Sequence, residues 1–165
     1  MILPKNCNYY EIVLLSNDNK YDFGQSGFSK VLAKMSQTTY KHFEKNYKEY
    51  IIEDIIVHNY NNEETKVFRN SAKDVIENKD HIIIGFQKTK LTPLNYPSTT
   101  YIYNISYVKK LIFRISNRIY INFEINLDKD SYKTYKIYIN YNHDNNVDMS
   151  QILSQLDELM KLLLE

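Results

Sequence analysis

The sequence predicts an α+β fold built on a mainly antiparallel sheet of about eight strands, large enough to curl or close into a barrel. It places one helix in the N-terminal half and a second at the C-terminus. Three observations predict it. Residues 118–127 and 132–141 alternate apolar and polar side chains along their length. Around residue 28 the spacing changes to that of a helix. The last 16 residues carry a leucine-rich stripe. At 165 residues the chain is expected to form a single domain, residues 1–165, with enough buried surface to fold unaided.

Residues 8–15 read as a first strand, closed by the Asn/Asp-rich turn at 16–19. From Phe28 a helical stripe of Phe28, Val31, Leu32 and Met35 extends toward Phe43, with Ser26 as the expected N-cap. The helix is expected to end near Tyr47 or to break at Thr38-Thr39. Residues 50–60 read as one strand, 61–64 as a turn and 65–70 as its partner. A short helical turn is expected within 71–80 and a strand over 81–89. A loop holding Pro93 and Pro97 is expected over 91–98. Residues 99–107 and 109–116, rich in Tyr, Ile and Phe, suit a pleated surface, and Ser116-Asn117 turns the chain.

The strand at 118–127 sends Ile119, Ile121, Phe123, Ile125 and Leu127 one way and Arg118, Tyr120, Asn122, Glu124 and Asn126 the other. After a turn at 128–131, residues 132–141 alternate again and complete a hairpin. Asp148 followed by Gln151 is a helix-capping pattern. The apolar side beyond it includes Ile152, Leu156, Leu159 and Leu163, which would pack on the sheet or form an interface with a partner helix.

Composition excludes several classes. Cys7 is the only cysteine, so no disulfide framework forms within the chain. No apolar run approaches the roughly 20 residues of a membrane-spanning helix. The N-terminus lacks the pattern of a signal peptide, so an intracellular protein, cytoplasmic or virion-associated, is expected. Ile, Asn, Lys and Tyr number 20, 19, 18 and 16, a bias that matches A/T-rich coding sequence, as in a giant virus or a parasite. That bias makes interleaved Tyr and Lys at 101–110 and 132–141 a weak sign of a nucleic-acid stacking platform. Charge is uneven: residues 99–141 carry seven basic and three acidic groups, residues 142–165 one basic and five acidic. A basic strand region would attract phosphates or RNA, and an acidic terminal helix nearby would offset it.

Familiar catalytic motifs are missing. There is no nucleophile elbow, no phosphate-binding glycine loop and no paired-histidine metal motif. The polar faces of the strands are more informative. They collect Lys110, Arg114, Arg118, Glu124 and Lys136, which Glu11 and Lys88 join from other strands. In an open sheet this is the solvated side. In a closed barrel it is a polar lumen whose charges need partners or a ligand.

The element order, with Lys109-Lys110-Leu111-Ile112-Phe113-Arg114-Ile115-Ser116, then Arg118-Ile119-Tyr120-Ile121, then Tyr135-Lys136-Ile137-Tyr138-Ile139-Asn140 and a terminal helix, resembles the triphosphate-tunnel fold of metal-dependent viral and fungal RNA triphosphatases. The resemblance implies inward glutamates alternating on the first and a late strand to hold a divalent metal, with basic side chains on the triphosphate. Here the first strand offers only Glu11, with Val13 at the next inward position. The late strand offers Lys136, Tyr138 and Asn140.

The leading expectation is therefore a non-catalytic binding domain, without cofactor. It would contact a protein or an anionic partner such as RNA through the basic strand face (Lys88, Lys110, Arg114, Arg118, Lys136) or the terminal helix. The first alternative is a divergent metal-dependent RNA or polyphosphate triphosphatase, with Glu11 and Glu124 on the metal. The second is a structural or virion assembly protein, homodimeric through its last helix.

Overall fold

Eight antiparallel strands close on themselves in the computed structural model, which describes residues 1–61, 64–92 and 104–165. In chain order the elements are β1 (Tyr9–Leu14), α1 (Gly24–Ser36), β2 (His42–Ile52), β3 (Ile55–Tyr60), β4 (Thr65–Glu77), β5 (His81–Leu91), β6 (Asn104–Arg114), β7 (Ile119–Asp128), β8 (Lys133–Asn142) and α2 (Met149–Leu164). Around the barrel they run β1-β5-β4-β3-β2-β6-β7-β8, and β8 pairs back onto β1. Closure removes every sheet edge, and each strand then has an inner and an outer face.

The outer face of one side of the barrel is the apolar core. Ile12 and Leu14 of β1, Phe113 of β6, Ile119, Ile121 and Phe123 of β7, and Ile137, Ile139 and Tyr141 of β8 are all but fully buried there. Phe28 and Met35 of α1 and Ile152, Leu156, Leu159, Met160 and Leu163 of α2 cover them. Phe28 meets Phe123 edge-on at 5.6 Å between ring centroids. Burying an aliphatic or Phe side chain contributes about 1.5–3 kcal/mol, so this layer is the main source of stability. Of the two expectations for the terminal helix, the structure shows packing on the sheet: Ile152, Leu156, Leu159 and Leu163 point into the chain's own core.

The hairpin β7–β8 and the strands β1 and β5 lie where periodicity places them. The Asp148 carboxylate caps α2 by accepting from the Ser150 N–H at 3.1 Å. No helix among the described residues is long and apolar enough to cross a membrane.

Three local expectations are overturned, and a fourth is decided between its two alternatives. Ser26 does not cap α1. The Asp22 carboxylate instead accepts from the N–H of Gly24 at 3.1 Å and from that of Tyr135 at 3.0 Å, tying the helix start to β8. Of the two expected ends, Tyr47 or a break at Thr38-Thr39, the helix takes the second: it ends at Ser36, where the Thr38 hydroxyl donates to the Met35 carbonyl at 2.6 Å, and Phe43 belongs to β2. The single strand expected over 50–60 is two, because Glu53 takes a positive φ of 55° and turns the chain with Ile52 opposite Ile55. The helical turn expected within 71–80 is the end of β4, which holds ten register positions with β5 across a bulge between Ala72 and Asp74. Local propensity yields there to a long ladder of backbone hydrogen bonds.

The described part of the two stretches expected over 99–107 and 109–116 holds one strand, β6, whose partners are β2 and β7; residues 99–103 lie outside the described residues. Residues 93–103, with most of the expected proline loop, lie outside the described residues. At Gly85 of β5 an added Cβ would stand 2.6 Å from Cys7 Sγ and 2.9 Å from Pro4 Cβ. Only glycine lets the N-terminal segment cross this strand so closely.

Candidate functional site

The inner face of the barrel is polar because the same period of two that sends isoleucines outward sends charges inward. β1 contributes Tyr9 and Glu11. β2 contributes Phe43, Lys45, Tyr47 and Glu49. β3, β4 and β5 add His58, Lys66 and Lys88, and β6, β7 and β8 add Lys110, Glu124 and Lys136. Toward the end of the barrel where β1 begins, these walls enclose a cavity of about 300 Å³ lined by Lys45, Lys66, Lys88 and Lys110 together with Tyr9, Phe43, Tyr47, His58 and Tyr138.

The deeper charges are paired. Lys136 Nζ lies 3.5 Å from Glu11 Oε1, and Lys110 Nζ lies 3.6 Å from Glu124 Oε1. His58 Nε2 is 2.7 Å from Glu49 Oε2. A carboxylate only accepts, so the imidazole donates through Nε2. The His58 ring stacks on Tyr47 at 3.9 Å and meets the edge of Phe68 at 4.8 Å, which fixes its orientation.

Lysines nearer the opening rest on aromatic faces. Lys88 Nζ lies 4.4 Å from the Tyr9 ring centre and 4.7 Å from that of Phe68, and among the described residues it forms no ion pair. Such contacts hold a cation where water is scarce without neutralising it. Burial and the nearby ammoniums of Lys110, Lys45 and Lys66 pull the Lys88 pKa down, opposed by Glu11. Burial and its neighbours Lys66 and Lys110 also lower that of Lys45, against Glu64. Cations held at a mutual cost of this kind gain when an anion arrives.

Lys136 behaves oppositely. Burial pulls its pKa down, but the carboxylates of Glu11, Glu124 and Glu49 outweigh burial and hold the ammonium above its usual value. The Tyr47 hydroxyl is buried in the wall of the cavity and has no hydrogen-bond partner among the described residues. An orphaned phenol costs free energy until something polar meets it.

Sequence reasoning and structure agree on five of the seven charged residues singled out: Glu11, Glu124, Lys88, Lys110 and Lys136 converge on the lumen. Arg114 and Arg118 do not. Arg114 is exposed at the end of β6 and donates to Asn117, and Arg118 is held by Asp144 beyond the start of β7. The strand ends there, and each guanidinium finds a loop partner closer than the lumen. Sequence reasoning misses Glu49, His58, Lys45, Lys66 and Tyr47. The signal is present: Phe43, Lys45, Tyr47 and Glu49 stand at every second position, but the stretch also continues the helical stripe from Phe28 and reads as its tail. In the run at 132–141 the tyrosines do not share a face, since Tyr135 and Tyr141 face the core and Tyr138 the lumen.

A divalent metal fits this lumen poorly. Hard cations need several oxygens at about 2.0–2.6 Å. Among the described residues, Glu11, Glu124 and Glu49 each already face a cation or an imidazole donor. No group of three or more His, Cys, Asp or Glu able to hold a metal ion forms among the described residues.

No family model matches the sequence, and no curated protein matches it. Solved structures do. The S. pombe Pct1 RNA triphosphatase superposes with a TM-score of 0.73 at 8% identity, over 96% of this chain and 85% of that one. The triphosphatase of the Mimivirus capping enzyme superposes with a TM-score of 0.67 at 14% identity, over 96% of this chain and 91% of that one. A second structure of the Mimivirus RNA triphosphatase domain gives 0.66 at 14%, over 96% and 90%. The resemblance suggested by the order of strands and helices is therefore a likeness of the whole fold: this chain has the tunnel architecture of those RNA triphosphatases.

Proposed function

We propose that the chain is a receptor for a triphosphate or similar polyphosphate group, taken end-on into the barrel lumen and held there without hydrolysis. The observation that carries this reading is the convergence of Lys45, Lys66, Lys88 and Lys110 on one small cavity. Its volume is at the small end of the range for ligand pockets, about 300–1,000 Å³, which suits a compact, highly charged group. Ammonium groups bind phosphate oxygens as point charges, and several together grip a chain of phosphates whatever its other end carries. The unpartnered Tyr47 hydroxyl adds a neutral donor.

Hydrolysis is the second reading, favoured by the likeness to RNA triphosphatases. It assigns Glu11 and Glu124 to a metal and Lys88, Arg114 and Lys136 to phosphate. Against it, Lys136 and Lys110 already pair with those two carboxylates.

Calorimetry with tripolyphosphate, 5′-triphosphorylated RNA and the same RNA bearing a 5′-hydroxyl tests both. Binding of the first two and not the third, weakened by added salt and without release of phosphate, is the expected result. No binding of either triphosphate overturns the receptor. Phosphate release with magnesium or manganese, lost in Glu11→Ala and Glu124→Ala, establishes the enzyme instead.

A further inference from the structure

We propose that Lys136 supplies from the chain itself the positive charge that a divalent ion supplies in metal-dependent tunnel enzymes, so that polyphosphate binding here needs no metal. This rests on the receptor reading above.

Position comes first. Lys136 sits on β8, flanked in the barrel by β1, which carries Glu11, and β7, which carries Glu124 directly opposite in register. Its ammonium lies 3.5 Å from Glu11 Oε1, within the field of Glu124 and Glu49, and 4.6 Å from the centre of the Tyr138 ring. About a third of the side chain remains accessible. The cation is thus fixed between the Glu11 carboxylate and the Tyr138 ring, next to the Tyr138 wall of the four-lysine cavity.

Charge then decides the outcome. A divalent ion brought to Glu11 would meet an ammonium already at the carboxylate, and like charges at that separation repel strongly in a partly desolvated site. The carboxylates balance the deeper lysines, and Lys45 and Lys88 are left facing the cavity to meet phosphate. In the tunnel enzymes that the chain resembles, a metal held by such glutamates would supply positive charge for the phosphate. Here Lys136 meets the Glu11 carboxylate directly and keeps N–H donors beyond that one ion pair.

Two measurements on the full chain test this. Tripolyphosphate affinity in EDTA is expected to match that of untreated protein, with no gain on adding magnesium. A gain of about tenfold or more with magnesium would overturn the proposal, since tenfold corresponds to about 1.4 kcal/mol, within the scale of one charge-assisted contact. Manganese titrations followed by electron paramagnetic resonance, on protein alone, are expected to show no saturable site in wild type and a new one in Lys136→Glu. A saturable site in wild type, or none in a Lys136→Glu protein that folds by circular dichroism, counts against it. Should Lys136→Glu fail to fold, Lys136→Gln keeps the side chain uncharged. It is expected to weaken tripolyphosphate binding equally with and without EDTA, and weakening only without EDTA would overturn the proposal. Absence of tripolyphosphate binding in every buffer removes the receptor reading and this proposal with it. Binding that requires magnesium removes the proposal alone.

Discussion

On β8, Ile137 and Ile139 are fully buried beneath the helices, while Lys136 and Tyr138, each one residue away, face the lumen. β7 repeats the contrast with Ile121 and Phe123 outward and Asn122 and Glu124 inward. The same backbone supports two chemistries because successive side chains leave a strand on opposite faces. Outward, non-directional apolar burial stabilises the fold. Inward, charges are held at some cost in desolvation and are useful only where something compensates them. Stability and binding should therefore separate by the parity of the residue along the strand.

The largest effect that separates them is expected on the outer face. Phe123→Ala removes a ring packed on Phe28 and Phe113 and is expected to cost about 3–5 kcal/mol, read from the urea midpoint. Lys88→Met should alter stability far less, because it removes a buried cation whose neighbours are also cations. Equal destabilisation by the two would break the comparison.

Next comes the reverse experiment on binding. Lys88→Met is expected to weaken tripolyphosphate affinity about tenfold or more by calorimetry, the scale of one charge-assisted contact. A conservative change on the outer face, Ile139→Val, should leave that affinity unaltered.

A smaller effect should appear on acidification. Burial and the ammoniums of Lys110 and Lys88 hold His58 below its ordinary 6.5, against the pull of Glu49. The fold resists protonating it, so its contribution is complete above pH 6.5 and declines as pH falls below that value, where the unfolded chain takes up the proton first. Burial would raise Glu49, but the hydrogen bond from His58 and the charges of His58, Lys110 and Lys136 keep it below 4.5. Its contribution is present above pH 4.5 and is lost as pH falls through the depressed value. Both act in one direction: the melting temperature should drop between pH 7 and pH 4. In His58→Gln the decline just below pH 6.5 should flatten. An unchanged profile would mean that the pair contributes nothing to the pH dependence.

The smallest change is expected at Arg118. Its partner Asp144 is half-exposed and the pair lies apart from the cavity. Arg118→Ala should leave both the melting temperature and tripolyphosphate affinity within error. A clear loss of affinity would extend the site to the barrel rim.

Much of the site is legible in the residues. Unbroken alternation over 118–127 and 132–141 assigns both faces of β7 and β8 from the pattern alone, and Glu124 and Lys136 fall on the inward side for that reason. β2 is not legible, because Phe43 continues a helical stripe and no glycine marks the turn at Glu53. Its inward Lys45, Tyr47 and Glu49 are hidden with it. Arg114 and Arg118 have the right parity but lie at strand ends, where parity no longer fixes what a long side chain touches.

By itself, the sequence determined the class of fold, the two helices and the inward or outward sense of each well-patterned strand, since these depend on local periodicity. Only the tertiary structure decided that the sheet closes. Closure depends on pairings between residues far apart in the chain, such as Glu11 with Asn140 and Tyr47 with Val108. It is closure that turns a solvated face into an enclosed lumen, pairs Lys136 with Glu11 and brings lysines from four strands to one cavity.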